Sequence, residues 1–265
     1  MGLARAAVNW FRVGARAVVY GAISCALGPL TNRRASRWAM RRWCVGASNA
    51  LGIRRSIVHA DRLDPGRQCV YVANHRSLLD ILVLGAYLPG DYRWLAKDAI
   101  FRVPFLGWHL RIAGHVPVYR GDKRRRNASL PERLRRVARE GASLLFFPEG
   151  TRTLDGSLQS FKLGAFRAAV DEQLPVVPLV VRGTDRLLKK GQKDLAVDRQ
   201  RACSVTVLEP VPPPVPADAS ERAHREAAVA LCTRVARAMA DELGEPVPGV
   251  REEREQENDA DRPAA

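Results

Sequence analysis

Three short runs, each uncharged along its length and rich in β-branched or aromatic residues, constrain this chain more than any other feature. They are Cys69-Val70-Tyr71-Val72-Ala73, Leu144-Leu145-Phe146-Phe147 and Val176-Val177-Pro178-Leu179-Val180-Val181. A half-solvated strand alternates apolar and polar residues, whereas a continuous apolar run is a strand covered on both faces, as in a parallel sheet. Segments with helical patterning at 77–88, 129–140 and 161–172 separate these runs from further strand-like stretches at 92–96 and 116–120. A last strand of alternating type is expected at 203–208. Strands alternating with helices imply an α/β fold, a mostly parallel sheet flanked by helices. A Pro-rich linker at 211–217 and one amphipathic helix at 220–243 close the domain. From 245 the chain has Pro, charges of both signs and no apolar periodicity, which predicts a disordered charged tail at 245–265.

The first 52 residues read differently. Residues 17–32 carry no charge but fall short of the roughly 20 apolar residues a spanning helix needs, and Gly21, Gly28 and Pro29 interrupt them. Arginines flank the stretch on both sides, which does not suit a signal peptide. Residues 37–51 mix Trp38 and Trp43 with Arg37, Arg41 and Arg42, and Trp10 and Phe11 repeat the theme upstream. Trp and Arg together suit a lipid headgroup boundary. The expectation is a membrane-associated helical hairpin at 1–52, lying in one leaflet, joined to an α/β domain at 53–244. Two ordinary helices packed on the domain, or a single short anchor, are the other readings.

Lys plus Arg number 43 against 28 Asp plus Glu, a net charge of +15. Such an excess favours a polyanionic partner: nucleic acid, an anionic membrane surface or a phosphorylated substrate. Aromatic residues are only 6% of the chain, so base-stacking platforms are scarce and no nucleic-acid partner is expected. The five cysteines are scattered, with no pair at metal-ligand spacing. They read as free thiols in a reducing compartment, and neither a metal nor a disulfide framework is expected.

Two motifs carry the chemistry. In Asn74-His75-Arg76-Ser77-Leu78-Leu79-Asp80, His75 stands where a strand ends and a helix begins. Five residues on one helix would turn His75 and Asp80 about 140° apart. They meet only if His75 lies in the loop and Asp80 projects back from the first helical turn. A carboxylate on one imidazole nitrogen then leaves the other to accept a proton from a hydroxyl. Taken alone, such a pair could also be a structural histidine with a satisfied hydrogen bond. The second motif, Phe147-Pro148-Glu149-Gly150-Thr151-Arg152, also follows a strand, and ligand sites in open α/β sheets gather at the carboxyl ends of strands. Gly150 permits close backbone approach, Thr151 offers a hydroxyl, and Arg152 can grip a phosphate or a carboxylate. Glu149 could accept from a substrate hydroxyl or hold Arg152.

Together these motifs resemble the glycerolipid acyltransferase family, best known for 1-acyl-sn-glycerol-3-phosphate acyltransferases. The blocks Ala96-Lys97-Asp98, Pro104-Phe105-Leu106-Gly107-Trp108, Gly114-His115-Val116-Pro117-Val118-Tyr119-Arg120, Phe161-Lys162-Leu163-Gly164 and Val177-Pro178-Leu179 extend the resemblance over about 68–182, in order. The block ending in Arg120 departs from the usual aliphatic–acidic–Arg run. The resemblance implies a general base at His75 oriented by Asp80. It implies an acceptor phosphate and glycerol site at Lys97, Arg120, Glu149, Gly150, Thr151 and Arg152, and a pocket shaped by Asn74, Ser77, Lys162 and Pro178. It further implies acyl-CoA or acyl carrier protein as acyl donor, a lysophosphatidic acid acceptor, no cofactor or metal, and a place on the cytoplasmic face of the cell membrane. Acylation of another lysolipid, such as a lyso-ornithine lipid, is an alternative. A non-enzymatic basic protein bound to membrane or nucleic acid is another. No Gly-x-Ser-x-Gly elbow supports a serine hydrolase.

Overall fold

The apolar runs lie side by side in the structure, a computed structural model that describes residues 2–119, 121–153, 155–189, 191–192 and 195–251, with backbone alone at 2, 3, 5 and 121–124. The strands in chain order are β1 (Arg54–Val58), β2 (Val70–Ala73), β3 (Tyr92–Lys97), β4 (Val116–Val118), β5 (Ser143–Phe146), β6 (Phe161–Lys162), β7 (Val176–Arg182), β8 (Ala202–Val207) and β9 (Val250–Arg251). Seven form one sheet in the order β1-β8-β7-β2-β5-β3-β4, while β6 pairs with β9. The helices are α1 (Gly2–Leu27), α2 (Arg34–Leu51), α3 (Leu79–Tyr87), α4 (Leu106–Ile112), α5 (Leu130–Arg139), α6 (Gly164–Asp171), α7 (Thr184–Leu187) and α8 (Glu221–Leu243).

Strands β2, β3, β4, β5 and β7 all run parallel, so the loops leaving them gather at one edge. Among the described strands of this sheet only the β7–β8 pairing is antiparallel, which sets β8 and its parallel neighbour β1 against the rest. The continuous apolar runs follow from burial on both faces. Tyr71, Ala73, Leu145, Leu179 and Val181 enter a core shared with α2 and α3. Val70, Val72, Leu144, Phe146, Val176 and Val180 enter a second core beneath α5, α6 and α8. Each buried Val, Leu or Phe among them contributes about 1.5–3 kcal/mol of transfer free energy.

Three features differ from the sequence-based expectation. β1 has no counterpart in the apolar pattern: Arg-Arg-Ser-Ile-Val has no apolar run, and as an edge strand it alternates exposed and half-buried residues. Phe161 and Lys162 form β6 rather than the start of a helix, because Val250 and Arg251 pair with them and the helix begins only at Gly164. That pairing also keeps the chain ordered to Arg251, past the point where composition predicts disorder. Residues 252–265 lie outside the described residues.

At the amino end, α1 and α2 form an antiparallel pair turned by Asn32 and Arg33, both at positive φ. Ser24 Oγ donates to Ser36 Oγ at 2.9 Å, and Ser24 Oγ lies 2.8 Å from His109 Nδ1, which ties α1, α2 and α4 together. Met40, Cys44, Ala47 and Leu51 of α2 are buried in the core. A Cβ on Gly85 of α3 would stand 2.4 Å from Cys44 Sγ, so the glycine is what lets α2 approach α3. The pair therefore packs on the domain. Among the described residues no helix is long and apolar enough to cross a membrane. Trp10, Phe11, Val18, Val19, Leu27, Leu30 and Trp38 are nonetheless exposed.

Candidate active site

The loop after β2 and the loop after β5 leave adjacent parallel strands, and they continue the pairing of those strands by other means. His75 N donates to Glu149 Oε1 at 2.8 Å, and Thr153 N donates to His75 O at 3.1 Å. On the other flank Asn74 clamps β7: its side-chain nitrogen donates to Val181 O at 2.9 Å and its oxygen accepts from Val181 N at 2.7 Å. Asn74 and Ser77 are wholly buried, and Ser77 Oγ donates to Leu188 O at 2.8 Å. Both act as struts of the turn rather than as walls of an open pocket.

Within that frame His75 Nδ1 lies 2.8 Å from Asp80 Oδ2. The geometry is the one the spacing requires, with His75 in the loop and Asp80 in the first turn of α3. Asp80 is fully buried. Its Oδ2 also accepts from the backbone N of Arg76 at 2.7 Å and of Ser77 at 2.9 Å, and its Oδ1 accepts from Thr184 Oγ1 at 2.5 Å. With both oxygens acting as acceptors, the imidazole proton belongs on Nδ1, and Nε2 carries a lone pair. No protein group bonds Nε2 among the described residues. The imidazole stacks on Phe147, with centroids 4.1 Å apart and planes 19° apart. These contacts fix the ring from one nitrogen and one face. Such an arrangement can remove a proton from a hydroxyl placed at Nε2.

Two residues here escaped the sequence reading. Thr184 follows Gly183 at the end of β7, and Phe147 belongs to the second motif, where its pattern indicates only a strand residue. Both stand at the same strand edge as His75; Thr184 gave no motif, since its link to Asp80 spans 104 residues.

Glu149 does not stand open to a ligand. It is 2% exposed, and its second oxygen accepts from Gln159 N at 3.3 Å. It clamps three stretches of backbone together. Burial pushes its carboxyl up to about 7, with the charge of Asp80 adding to the rise and the amides of His75 and Gln159 and the Arg76 guanidinium opposing it. The folded pKa lies above the unfolded value of about 4.3, so folding takes up a proton between the two. Stability from this group is therefore present below pH of about 4.3 and is lost as pH rises through about 7. Glu149→Gln is expected to flatten that slope. Between pH 5 and 8, urea unfolding should show wild type losing about 2–3 kcal/mol more than the variant.

Gly150 sits at φ +69, and a Cβ there would stand 3.0 Å from Lys162 Cε and 3.1 Å from Lys162 Nζ. The glycine is thus needed both for the turn and for the passage of Lys162 across it. Lys162 N also donates to Pro148 O at 2.9 Å, so β6 carries this lysine onto the loop. Gly150→Ala should cost about 1–2 kcal/mol in a denaturant titration and displace the Lys162 side chain. Thr151 is exposed at the tip of the loop and Arg152 is half-buried beside it.

Lys97 ends β3 and is exposed, level with Val118 of β4. With β5 between β3 and β2, Lys97 stands about 10 Å across the edge from the His75 strand. Arg120 lies outside the described residues, two positions beyond Val118. Pro178 is not brought to the pair. It is level with Val72 inside the sheet and, by strand alternation, shares the face of Val176 and Val180 in the second core. Among the described residues no cluster of His, Cys, Asp and Glu could hold a metal, and Cys44, Cys69, Cys203 and Cys232 are buried free thiols.

The family model described as Acyltransferase matches residues 54–182, the span that contains this edge. A 1-acyl-sn-glycerol-3-phosphate acyltransferase of Chlamydomonas reinhardtii is 35% identical over 196 residues, covering 74% of this chain and 58% of that protein. The chloroplastic 1-acyl-sn-glycerol-3-phosphate acyltransferase BAT2 of Brassica napus is 42% identical over 127 residues, 48% of this chain and 36% of that protein. This chain therefore spans only about a third to three fifths of those relatives' length. The crystal structure of the 1-acyl-sn-glycerophosphate acyltransferase PlsC from Thermotoga maritima superposes with a TM-score of 0.67, covering 88% of this chain and 94% of that one. At 22% identity that likeness is one of fold.

Proposed function

The chain belongs to the acyltransferase family, and on that premise we propose that it moves a fatty acyl group from a thioester, acyl-CoA or acyl carrier protein, to the sn-2 hydroxyl of lysophosphatidic acid, giving phosphatidic acid. The observation that carries the reading is the imidazole of His75, held through Nδ1 by a buried carboxylate with Nε2 left to a substrate. Nε2 takes the proton of the acceptor hydroxyl as its oxygen attacks the thioester carbonyl. The tetrahedral intermediate collapses to an ester, and the carbon–sulfur bond breaks. The departing thiolate takes the proton back from the imidazolium. A thioester is already activated, so the step asks nothing further of the protein than proton transfer, orientation and stabilisation of the oxyanion.

The acceptor's phosphate is placed among the cations beyond the neighbouring strands, Lys97 from β3 and Lys162 and Arg152 around the second loop, with Arg120 following β4. The side chains of Lys and Arg reach about 6 Å, which brings the 10 Å strand offset within the length of a glycerol phosphate. Such a substrate sits in a lipid surface. The exposed Trp10, Phe11, Leu27, Leu30 and Trp38, with an excess of basic residues, are the surface by which the protein rests on the cytoplasmic face of the membrane.

Purified protein in mixed micelles, given oleoyl-CoA with and without lysophosphatidic acid, tests the reading by thiol release. Release that requires the acceptor supports it. Release with lyso-ornithine lipid but not with lysophosphatidic acid would move the acceptor to the alternative lysolipid, and no release with any donor or acceptor would remove the enzymatic reading.

A further inference from the structure

At the opposite end of the sheet from His75, where β3 and β4 begin, a cleft of about 260 Å³ opens beside α2. Arg37, Arg41 and Arg93 line it together with Trp38, Tyr92 and His115. None of these side chains contributes to the pair described above.

Three guanidinium groups line the cleft, and the carboxylates that meet them and the neighbouring Arg33 stand outside its lining. Asp91 pairs with both Arg37 and Arg93, and Glu140 pairs with Arg33. Arg41 makes no ion pair among the described residues, so four guanidinium groups stand against two carboxylates. Arg93 is 2% exposed, and its Nε has no hydrogen-bond partner among the described residues. A Cβ on Gly114 would stand 3.0 Å from Arg93 Nε and 3.3 Å from Arg33 Nη1. The chain thus spends a glycine at φ +79 to let two like charges close on one point. Burial, then the charge of Arg33, lower Arg93 to about 10, which leaves it cationic near neutrality. Arg93 is the buried cation of the group: both its terminal nitrogens bond Asp91, and its Nε donor is left over, a cost that a further acceptor relieves.

We propose that this cleft is a second binding site, distinct from the acyl-transfer centre, for a phosphate group carried either by a membrane lipid headgroup or by a soluble phosphate. Guanidinium forks match the oxygens of a phosphate in pairs. Trp38 is exposed at the cleft's rim, and Leu27 and Leu30 are exposed near the turn into α2. A charged floor under an apolar lip suits an interfacial headgroup. The inference stands on these residues and does not depend on the reaction at His75.

The test uses the full chain, Arg41→Gln, Arg37→Gln/Arg41→Gln, and a charge-matched control, Arg234→Gln/Arg237→Gln on α8. Sedimentation with vesicles of phosphatidylcholine containing about 20 mol% phosphatidylglycerol reads lipid binding. Tryptophan fluorescence against inorganic phosphate reads the soluble arm. The expected result is that the double cleft variant binds anionic vesicles about tenfold more weakly than wild type, with the α8 control within about twofold. Arg41→Gln, which has no ion pair to lose, should fall in the same direction without a change in thermal midpoint. Phosphate saturation that vanishes in the double variant assigns a soluble anion, and a response confined to vesicles assigns the headgroup. If the cleft variants match the α8 control in both arms, the site does not exist.

Discussion

Replacing His75 with alanine should lower acceptor-dependent acyl transfer by about 10³-fold and leave the fold intact. General-base catalysis contributes about 10²–10⁴, and nothing among the described residues other than His75 presents a nitrogen lone pair at this edge next to a buried carboxylate. The loss should fall on kcat, with little change in KM for the acceptor, because the proton moves only in the transition state. Stability should fall by only about 1–3 kcal/mol, since the ring is partly exposed and its losses are one stacking contact with Phe147 and one hydrogen bond to a carboxylate that keeps its other donors. A variant within tenfold of wild type would mean that another group takes the proton.

Asp80→Ala should be worse for the protein than His75→Ala, although it lies one step further from the substrate. The carboxylate accepts from the His75 ring, the backbone N of Arg76 and Ser77, and the hydroxyl of Thr184. It does so in a place with no solvent to substitute. Removing it orphans several donors at about 1–3 kcal/mol each, so a loss of at least about 3 kcal/mol and a drop in Tm of about 10 °C are expected. Activity should fall at least as far as in His75→Ala, because the ring loses both its tautomer and its position. Asp80→Asn separates the two effects: it fills the same volume and should recover part of the stability while recovering little of the rate. If Asp80→Asn were fully active, the carboxylate would be a structural strut only.

The parts legible in the chain were those with short-range causes. Buried strands declare themselves as uncharged apolar runs, and β2, β5 and β7 stand where those runs stand. The His75–Asp80 geometry follows from a strand-to-helix turn and a five-residue spacing. What stayed hidden depends on pairing between distant segments. β1 lacks an apolar run because one side of it has no neighbour. β6 exists only because β9 returns to it, so Phe161 and Lys162 read locally as the start of a helix. The same return holds Glu245 against Arg76 and against the amide of Leu158, which composition alone cannot foretell. Thr184 reaches Asp80 across 104 residues, a contact that only the order of the sheet creates. Glu149 reads locally as an acceptor for a substrate hydroxyl or a holder of Arg152 and is a buried backbone clamp, since an acidic residue before glycine can point either way.

The most direct measurement is to follow the ester itself: mass spectrometry of phosphatidic acid formed from lysophosphatidic acid and an isotopically labelled acyl-CoA, with wild type and His75→Ala side by side. Labelled phosphatidic acid that accumulates with wild type and falls by about 10³-fold with His75→Ala is the predicted result. Labelled product formed equally well by both proteins, or by neither with any thioester donor, would contradict the account.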